Sequence, residues 1–287
     1  MKQLGRMIRV DLTSECNFAE WRVKARRLLQ NKIKPVQVAW CGPSTPPSLL
    51  DPSYEPWESL EARPCYLSAP SRFIDIAERV ICHRDPERFA RLYDILSSLQ
   101  FDNTLLAKTT DDNIIWLRQC DSAIRRDRHK MHAFVRFRKI GETRFRKEQF
   151  AAWFEPDHFI TELATPFFVR RFPNMDWIIV TPDCTAIWDG IELAFKPGGK
   201  KSDVPSDDAV EEQWKTYFSA IFNPARLKVG AMMSEMPKKY WHNMPEAELI
   251  PNLIAGAQTR EQDMRDNAVT EPHRLKETLE KRKRNTS

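Results

Sequence analysis

The stretch from residue 125 to residue 196 constrains the fold more than any other part of the sequence. Its apolar residues first recur at every second position, as at Ala133, Val135 and Phe137, which is the period of a half-buried strand. Further apolar runs, ended by turn residues such as Asp189-Gly190, predict more strands. The predicted strands of this stretch cover residues 133–138, 150–154, 177–180 and 186–188.

Two helices are predicted between the second and third of these strands. Asp157 is placed to cap the first helix, whose apolar positions lie between 159 and 164. Thr165 and Pro166 then have the residue types of an N-cap and a first helical position for a second helix through residue 172. The order strand, strand, helix, helix, strand, strand predicts an α+β core, because a sheet needs a partner layer and this unit brings its own helices.

The first forty residues predict a separate β-α-β unit. Residues 7–12 alternate like a strand, and Asn17 with Glu20 resembles a capping box at the start of a helix. Val36 and Trp40 belong to a second predicted strand, which is far enough along the chain for a parallel crossover. No glycine-rich loop follows the first strand, so the sequence gives little support to a nucleotide site.

Helices are predicted around the central sheet as well. The predicted helices before it cover residues 71–83, 86–100 and 111–131, and those after it begin near residues 207, 223 and 245. The fold class is therefore predicted as α+β: a small N-terminal β-α-β unit, then a helix-flanked mixed or antiparallel sheet core with C-terminal helices. The predicted domains are 1–64 with a proline-rich connection, 65–258 as the main domain, and 259–287 as a charged, flexible tail.

Composition narrows the cellular setting. The chain of 287 residues is long enough to bury a substantial core. It has no apolar run of membrane-spanning length, and its first residues lack an apolar signal core, so we expect a cytoplasmic protein without export. The six cysteines are spread singly, which offers neither a zinc nor an iron–sulfur ligand pattern. We expect reduced, mostly structural thiols, and neither a metal site nor a cofactor is evident from the sequence.

Positive charge is concentrated in one window. Residues 121–150 carry ten Lys or Arg against four Asp or Glu, an excess of six, whereas the whole chain has a net charge of +5. Clustered positive charge attracts polyanions, and nucleic acid is the commonest of them. A solvated, salt-bridged surface is the alternative.

Six strings in the sequence resemble a bacterial family described as a probable DNA metabolism or putative DNA repair protein. They occur in the family's order and together cover nearly the whole chain from residue 7 to about 260. The strings are CHRDPERFARLYDIL at 82–96, RRDRHKMHAFVRFR at 125–138, WFEPDHFITELATPFFVRRF at 153–172, WIIVTPDCTAIWDG at 177–190, IFNPARLKVGAMMSEMPKKYW at 221–241 and NMPEAELIPNLI at 243–254.

The resemblance implies a pathway rather than a reaction. Members of the family are typically encoded beside a radical S-adenosylmethionine protein thought to act in DNA repair or modification. In related chains the same region is fused in front of a UdgX-type uracil-DNA glycosylase domain, which we do not find in this sequence. The resemblance implies that the radical S-adenosylmethionine partner supplies the radical chemistry, which fits the absence of a cluster motif here.

The basic window supplies the candidate contacts to nucleic acid. Phosphate binding needs long, always-charged donors, and arginine makes such contacts bidentate. The candidates are Arg125, Arg126, Arg128, Lys130, Arg136 and Arg138, the last two predicted on one strand face. The alternative is a helix end whose dipole favours cations. Trp241, beside two lysines, is a candidate for stacking on an exposed base, and its alternative is a surface aromatic that closes a turn.

Two groups of residues are catalytic candidates. His129 and His132, three apart, would share a helix face and suit a metal or a phosphate; the alternative is that one packs in the core. Glu155, His158 and Glu162 form a carboxylate–imidazole group, with His158 and Glu162 predicted four apart on one helix. Surface pairing beside a capping Asp157 is the alternative there.

The leading hypothesis from the sequence is a DNA-binding accessory protein in a bacterial DNA repair or modification pathway, acting with a radical S-adenosylmethionine partner. The second hypothesis is an enzyme that acts on damaged DNA, and a metal-dependent enzyme is one form of this hypothesis. A protein–protein adaptor with a basic docking face is the third.

Overall fold

The computed structural model divides by its internal contacts into two units, Met1–Pro205 and Ser206–Ser287, which are described separately below. The described residues are 7–45, 54–64, 67–142, 147–204, 237–243, 249 and 251–252. The fold is α+β, as predicted. The predicted domain limits near residues 64 and 258 stay predictions.

The first sheet confirms the predicted β-α-β unit. It joins β1 (Ile8–Asp11) to β2 (Val38–Cys41) through α1 (Phe18–Gln30), and the two strands run parallel. A third strand, β3 (Glu55–Pro56), pairs in parallel with the other side of β1. In the strand order β2-β1-β3, strand β1 is central. Because β1 and β2 run parallel, the loops that follow these two strands lie at the same edge of the sheet.

Two details of this unit differ from the prediction. Asn17 caps α1 through the backbone N–H of Glu20, but the Glu20 carboxylate accepts hydrogen bonds from Thr13 and Lys24. Val36 lies in a short 3-10 turn ahead of β2 and is 79% exposed, so it does not belong to the strand. A proline at the start of that turn, Pro35, fixes the backbone in a turn conformation.

The three helices predicted before the main sheet are confirmed: α2 (Ser71–Val80), α3 (Arg88–Leu99) and α4 (Asp112–Phe134). Asp111 caps α4 by accepting a hydrogen bond from the Ile114 backbone N–H at 3.1 Å. None of the helices in the described part of the chain is long and apolar enough to cross a membrane.

The main sheet is mixed and has five strands in the order β4-β5-β6-β7-β8. Only β5 and β6 run parallel, and α5 (Thr161–Arg171) connects them. The strands are β4 (Arg138–Glu142), β5 (Glu148–Trp153), β6 (Asp176–Val180), β7 (Cys184–Trp188) and β8 (Leu193–Pro197). Strand β8 was not predicted, because it is a largely exposed edge strand without alternating burial.

The predicted strand over residues 133–138 is wrong. Helix α4 continues through Phe134, and β4 begins only at Arg138. The alternation at Val135 and Phe137 has another cause: Val135 is buried at the helix end, and the Phe137 ring packs against Trp177 at 5.9 Å in the short link that follows. Two apolar side chains that point into one core across a helix end imitate the period of a strand.

Helix α5 is a single helix, where the sequence predicted two. Pro166 lies inside it and has no N–H for the carbonyl of Glu162, four residues earlier. The hydroxyl of Thr165, itself fully buried, lies 2.8 Å from the carbonyl oxygen of Thr161 and 3.1 Å from that of Glu162. Thr165 therefore supplies the donor that Pro166 lacks, and the helix passes through the proline.

We expect Thr165→Val to lower the free energy of unfolding by about 1–3 kcal/mol, because it leaves the Glu162 carbonyl without this donor. Thr165→Ser keeps the hydroxyl and loses one buried methyl group, which costs about 0.8 kcal/mol. Urea unfolding of both variants compares the two losses. A Thr165→Val protein as stable as wild type would show that the hydroxyl does not replace the missing bond.

Of the second unit, the structure describes mainly a 3-10 helix over Lys238–Asn243, in which Tyr240 is buried. The helices predicted to begin near residues 207 and 223, most of the one predicted near 245, and the predicted tail lie outside the described residues.

Candidate nucleic-acid interface

The basic run lies on the last turns of α4, and the helix divides it between two flanks. Successive residues turn by about 100° around a helix axis. Asp127 and Met131 face the core and are 2% and 0% exposed. The remaining positions fall on either side of that buried stripe: Arg126 and Lys130 on one flank, Arg125, Arg128, His129 and His132 on the other. The candidates therefore do not form one continuous row.

The charge of Arg125 has a local carboxylate partner. Its Nε lies 3.3 Å from Oδ2 of Asp121, although the arginine side chain is 60% exposed. Asp121 also accepts a hydrogen bond from Nε of Arg79 at 2.6 Å. Arg126 donates a hydrogen bond to the hydroxyl of Ser122 at 2.7 Å. Because a hydroxyl is uncharged, this contact does not neutralise the charge of the arginine.

Three basic side chains from α4 and α5 lie near enough to His132 to affect its protonation, and we call Arg128, His129 and Arg170 the basic cluster. Burial lowers the pKa of His132, and the hydrogen bond to the Ala164 carbonyl raises it. Each member of the basic cluster lowers that pKa further by repelling the protonated ring. The ends of two helices thus bring positive charge together.

The contacts of His132 are those of a packing residue. Its Nε2 lies 3.1 Å from the carbonyl oxygen of Ala164, and its ring stacks on Phe167 with centroids 4.1 Å apart. The Phe168 ring meets it edge-on at 5.6 Å. His129 is exposed. Within the described ranges, no three His, Cys, Asp or Glu side chains form a group that could hold a metal ion.

Arg136 and Arg138 do not share a strand face, contrary to the prediction. Arg136 lies in the link between α4 and β4, and its guanidinium donates to the carbonyl oxygen of Ala133 at 2.7 Å. Arg138 is the first residue of β4. The physical reason is the extra helical turn, which carries residues 132–134 into α4 instead of the sheet.

The predicted helical pairing of His158 and Glu162 is also wrong, because α5 begins at Thr161. The His158 ring instead stacks on His83, with centroids 4.2 Å apart, and its Nδ1 accepts a hydrogen bond from the Arg84 backbone at 3.3 Å. Its own backbone N–H donates to Asp127 at 2.9 Å. These contacts tie the segment before α5 to α2 and α4.

The other acidic candidates serve local contacts in the same region. Glu155 accepts a hydrogen bond from the indole N–H of Trp153 at 3.0 Å. The backbone carbonyl of Asp157, not its carboxylate, accepts one from Arg84 at 2.9 Å. The carboxylate of Asp183 pairs with the same arginine.

Sequence reasoning missed a buried ion pair at the carboxyl end of β1. Arg88 is 3% exposed, and its guanidinium pairs with Glu15 and donates to the backbone carbonyls of Glu15, Ile81 and Asp85. Burial raises the pKa of Glu15, but hydrogen bonds from Ser44 and Arg88 hold it below its usual range. No sequence signal joins Glu15 to Arg88, because the two residues lie on different elements far apart in the chain.

Two grooves open beside this ion pair, with volumes of about 820 and 610 Å³, and Cys16 and Glu162 line both. The larger groove lies between α1, α2 and α5. The smaller groove includes the loops after β1 and β2. Ligand sites of open parallel sheets commonly lie at the carboxyl ends of the strands.

The fold and the site together define a class of protein. It is an α+β protein whose basic cluster lies where two helices meet. Residues 86–246 match the model of a family described as a domain of unknown function, DUF4130. The match spans more than half of the chain, which therefore belongs to this family, one associated with DNA repair. Four of the six strings noted above lie wholly inside the matched region. No curated protein and no solved structure matches the chain.

Proposed function

We propose that the protein is a DNA-binding accessory protein in a bacterial DNA repair or modification pathway, acting with a radical S-adenosylmethionine partner. The basic cluster carries this proposal. In the part of the chain that the structure describes, Arg128 and Arg170 form no ion pair. Other arginines of the same unit are neutralised by carboxylates: Arg79 by Asp121, Arg84 by Asp183, Arg88 by Glu15 and Arg91 by Glu87.

Helix dipoles alone account for only part of this arrangement. A helix C-terminus favours a cation by about 0.3–1 kcal/mol, and Arg170 and Arg171 lie in the last turn of α5. The charges of Arg128 and Arg170 both act on His132, whose pKa is lowered first by burial and then by this repulsion. A polyanion bound across both ends would relieve the repulsion, and the phosphate backbone of DNA is such a polyanion.

An aromatic pair adjoins the basic cluster. The stacked rings of His132 and Phe167 are both half-buried, so each keeps part of its surface accessible. Bases of single-stranded nucleic acid stack on exposed aromatic rings beside cations. Trp241, the other stacking candidate, belongs to the second unit and is half-buried; its proposed role stays a prediction.

The partner is proposed from the resemblance and not from a contact in the structure. The family match at 86–246 supports the same pathway for this chain. In that pathway the radical S-adenosylmethionine protein would carry out the radical chemistry, and this chain would hold the DNA. The association with UdgX-type uracil-DNA glycosylase domains belongs to the same proposal.

Three double variants that each lower the net charge by four test the proposal. Arg128→Glu/Arg170→Glu removes the basic cluster, and Arg126→Glu/Lys130→Glu removes the opposite flank of α4. Arg63→Glu/Arg72→Glu is the matched control, since both arginines are exposed and neither forms an ion pair with another described residue. Fluorescence anisotropy with labelled single- and double-stranded DNA measures the affinity of each protein.

We expect the basic-cluster variant to bind duplex DNA on the order of 100-fold more weakly at about 50 mM salt, as follows from losing two phosphate contacts. The control should change affinity by less than about threefold, because exposed charges farther than about 10 Å from the DNA are screened. Equal losses of affinity in the control and the basic-cluster variant would show that the effect depends on net charge alone, and would contradict a specific role for the basic cluster. If wild type binds no DNA but retains a partner protein after nuclease treatment, the adaptor hypothesis replaces this one.

A further inference from the structure

Strand β8 forms one edge of the main sheet, and its outer side is exposed to solvent. It pairs with β7 on one side, and no other described strand lies against its second side. Residues 194–197 are exposed, and Ile191 in the turn before the strand is 88% exposed. A sheet edge of this kind presents a row of backbone N–H and C=O groups to which another strand can pair.

The opposite edge of the sheet, strand β4, carries features that discourage such pairing. Its register shifts between Lys139 and Gly141, which marks an irregularity of the β-bulge kind. Lys139 also pairs with Glu142 and Glu148 at 2.8 Å, so charged groups lie along this edge. Bulges and charges are common protections of exposed edges. Strand β8 pairs with β7 along its whole length without a shift of register, so its own edge is regular.

The backbone groups of β8 point alternately toward β7 and away from it. In the turn before the strand, the N–H of Asp189 donates to the carbonyl of Glu192 at 3.5 Å. Hydrogen-bonded and non-hydrogen-bonded pairs alternate along an antiparallel ladder. Counting from Glu192, Ala194 therefore directs its N–H and C=O to β7, whereas Leu193 and Phe195 direct theirs outward. These two residues of the edge thus have donors and acceptors available for a further strand.

The sequence of this edge is complementary to itself. Two β8 strands that run antiparallel about Ala194 place this residue opposite its own copy. Glu192 then lies opposite Lys196, and Leu193 opposite Phe195. Opposed residues share a face of a sheet, so the charged pairs meet on one face and the apolar pairs on the other. In the described part of the chain, neither Glu192 nor Lys196 forms an ion pair, so both charges are available.

We propose that two copies of this protein associate through antiparallel pairing of their β8 strands, which joins their five-stranded sheets into one. Leu193 exchanges both backbone hydrogen bonds with Phe195 of the partner subunit, because the outward groups of these two residues meet. Pro197, which lacks an N–H, ends the strand beyond these bonds and leaves them intact. The match of Glu192 to Lys196 at both ends of the pairing favours a second copy over an unrelated strand.

The pairing involves few residues on each side, which sets the expected strength of the dimer. Interfaces of less than about 1,200 Å² are typical of weak or transient complexes. We therefore expect a monomer–dimer equilibrium with a dissociation constant on the order of 10 μM. Sedimentation velocity of the full-length protein, over about 1–200 μM and without DNA, measures this constant. The measurement does not depend on the proposed DNA binding.

Reversal of the two charges tests the pairing without disturbing the sheet, because both side chains are exposed. Glu192→Lys and Lys196→Glu each turn two opposite-charge pairs into two like-charge pairs. Each variant alone should therefore dimerise more weakly than wild type by at least about tenfold. An equimolar mixture of the two variants restores both opposite-charge pairs, so it should dimerise like wild type. The mixture is the matched control, since it contains the same substitutions as the two weakened proteins.

A disulfide locates the centre of the pairing. Ala194→Cys places the introduced thiol opposite its own copy at a Cα separation of about 4.5 Å, which is within disulfide reach. Lys196→Cys lies roughly 14 Å from its own copy and should not cross-link. Mass spectrometry of the cross-linked peptides after mild oxidation distinguishes the two. A wild-type protein that stays monomeric at about 200 μM, a variant mixture no better than either variant alone, or preferential cross-linking of Lys196→Cys would each overturn the proposal.

Discussion

Replacing Arg88 with methionine should lower the free energy of unfolding by about 3–5 kcal/mol, the usual cost of removing one partner from a buried ion pair. The side chains of Arg88 and Glu15 are only 4% and 15% exposed. Without the guanidinium, the Glu15 carboxylate keeps its charge in a site shielded from water. The backbone carbonyls of Ile81 and Asp85 also lose their donors, at 2.9 and 3.0 Å.

Arg91→Met is the matched control for this prediction. Arg91 lies one turn further along α3 and pairs with Glu87 at 3.0 Å, but the two side chains are 36% and 67% exposed. Exposed pairs contribute about 0–1 kcal/mol, so this variant should remain close to wild type in urea unfolding. Adding Glu15→Gln to Arg88→Met should recover part of the loss by removing the uncompensated charge. Equal stability of the two single variants would contradict a structural role for the Arg88–Glu15 pair.

Phe168→Ala should also cost about 3–5 kcal/mol, because it opens a cavity where α5 meets the main sheet. Phe168 is 2% exposed, and its ring meets those of Phe137 at 5.9 Å and Trp177 at 6.2 Å. The same ring supports His132 at the basic end of α4. Phe168→Ala therefore destabilises the contact between α5 and the end of α4, and this contact positions the basic cluster.

Thermal or urea unfolding of Phe168→Ala beside Phe101→Ala measures this effect. Phe101 is 90% exposed, so its truncation should change the free energy of unfolding by no more than about 0.5 kcal/mol. A Phe168→Ala protein as stable as Phe101→Ala would mean that this aromatic cluster is not a tightly packed core.

Local patterns predicted the regular elements well and failed where long-range packing decides the outcome. The β-α-β unit was predictable because the apolar periods of its strands and helix and the capping residue Asn17 agree. The end of α4 was not predictable in this way. Val135 and Phe137 are both apolar because they pack into the core around the end of this helix, and that packing depends on the tertiary fold. The single helix α5 was missed because the Thr165 hydroxyl replaces the bond that Pro166 removes.

The candidate nucleic-acid interface shows the same difference between what local patterns predict and what long-range packing decides. The positive charge at residues 125–130 is visible in the sequence, but the division of that run into two flanks and the addition of Arg170 depend on helix geometry and on the contact between α4 and α5.

The salt dependence of DNA binding by the wild-type protein tests the central claim most directly. Each phosphate contact contributes a slope of about −0.9 to log affinity against log salt for duplex DNA, and about −0.7 for single strands. With at least Arg128 and Arg170 in contact, we predict a linear decrease with a slope of about −1.8 or steeper on duplex between about 50 and 200 mM salt. Affinity that does not change with salt, or no binding at the lowest salt, would contradict a DNA-binding role for the basic cluster.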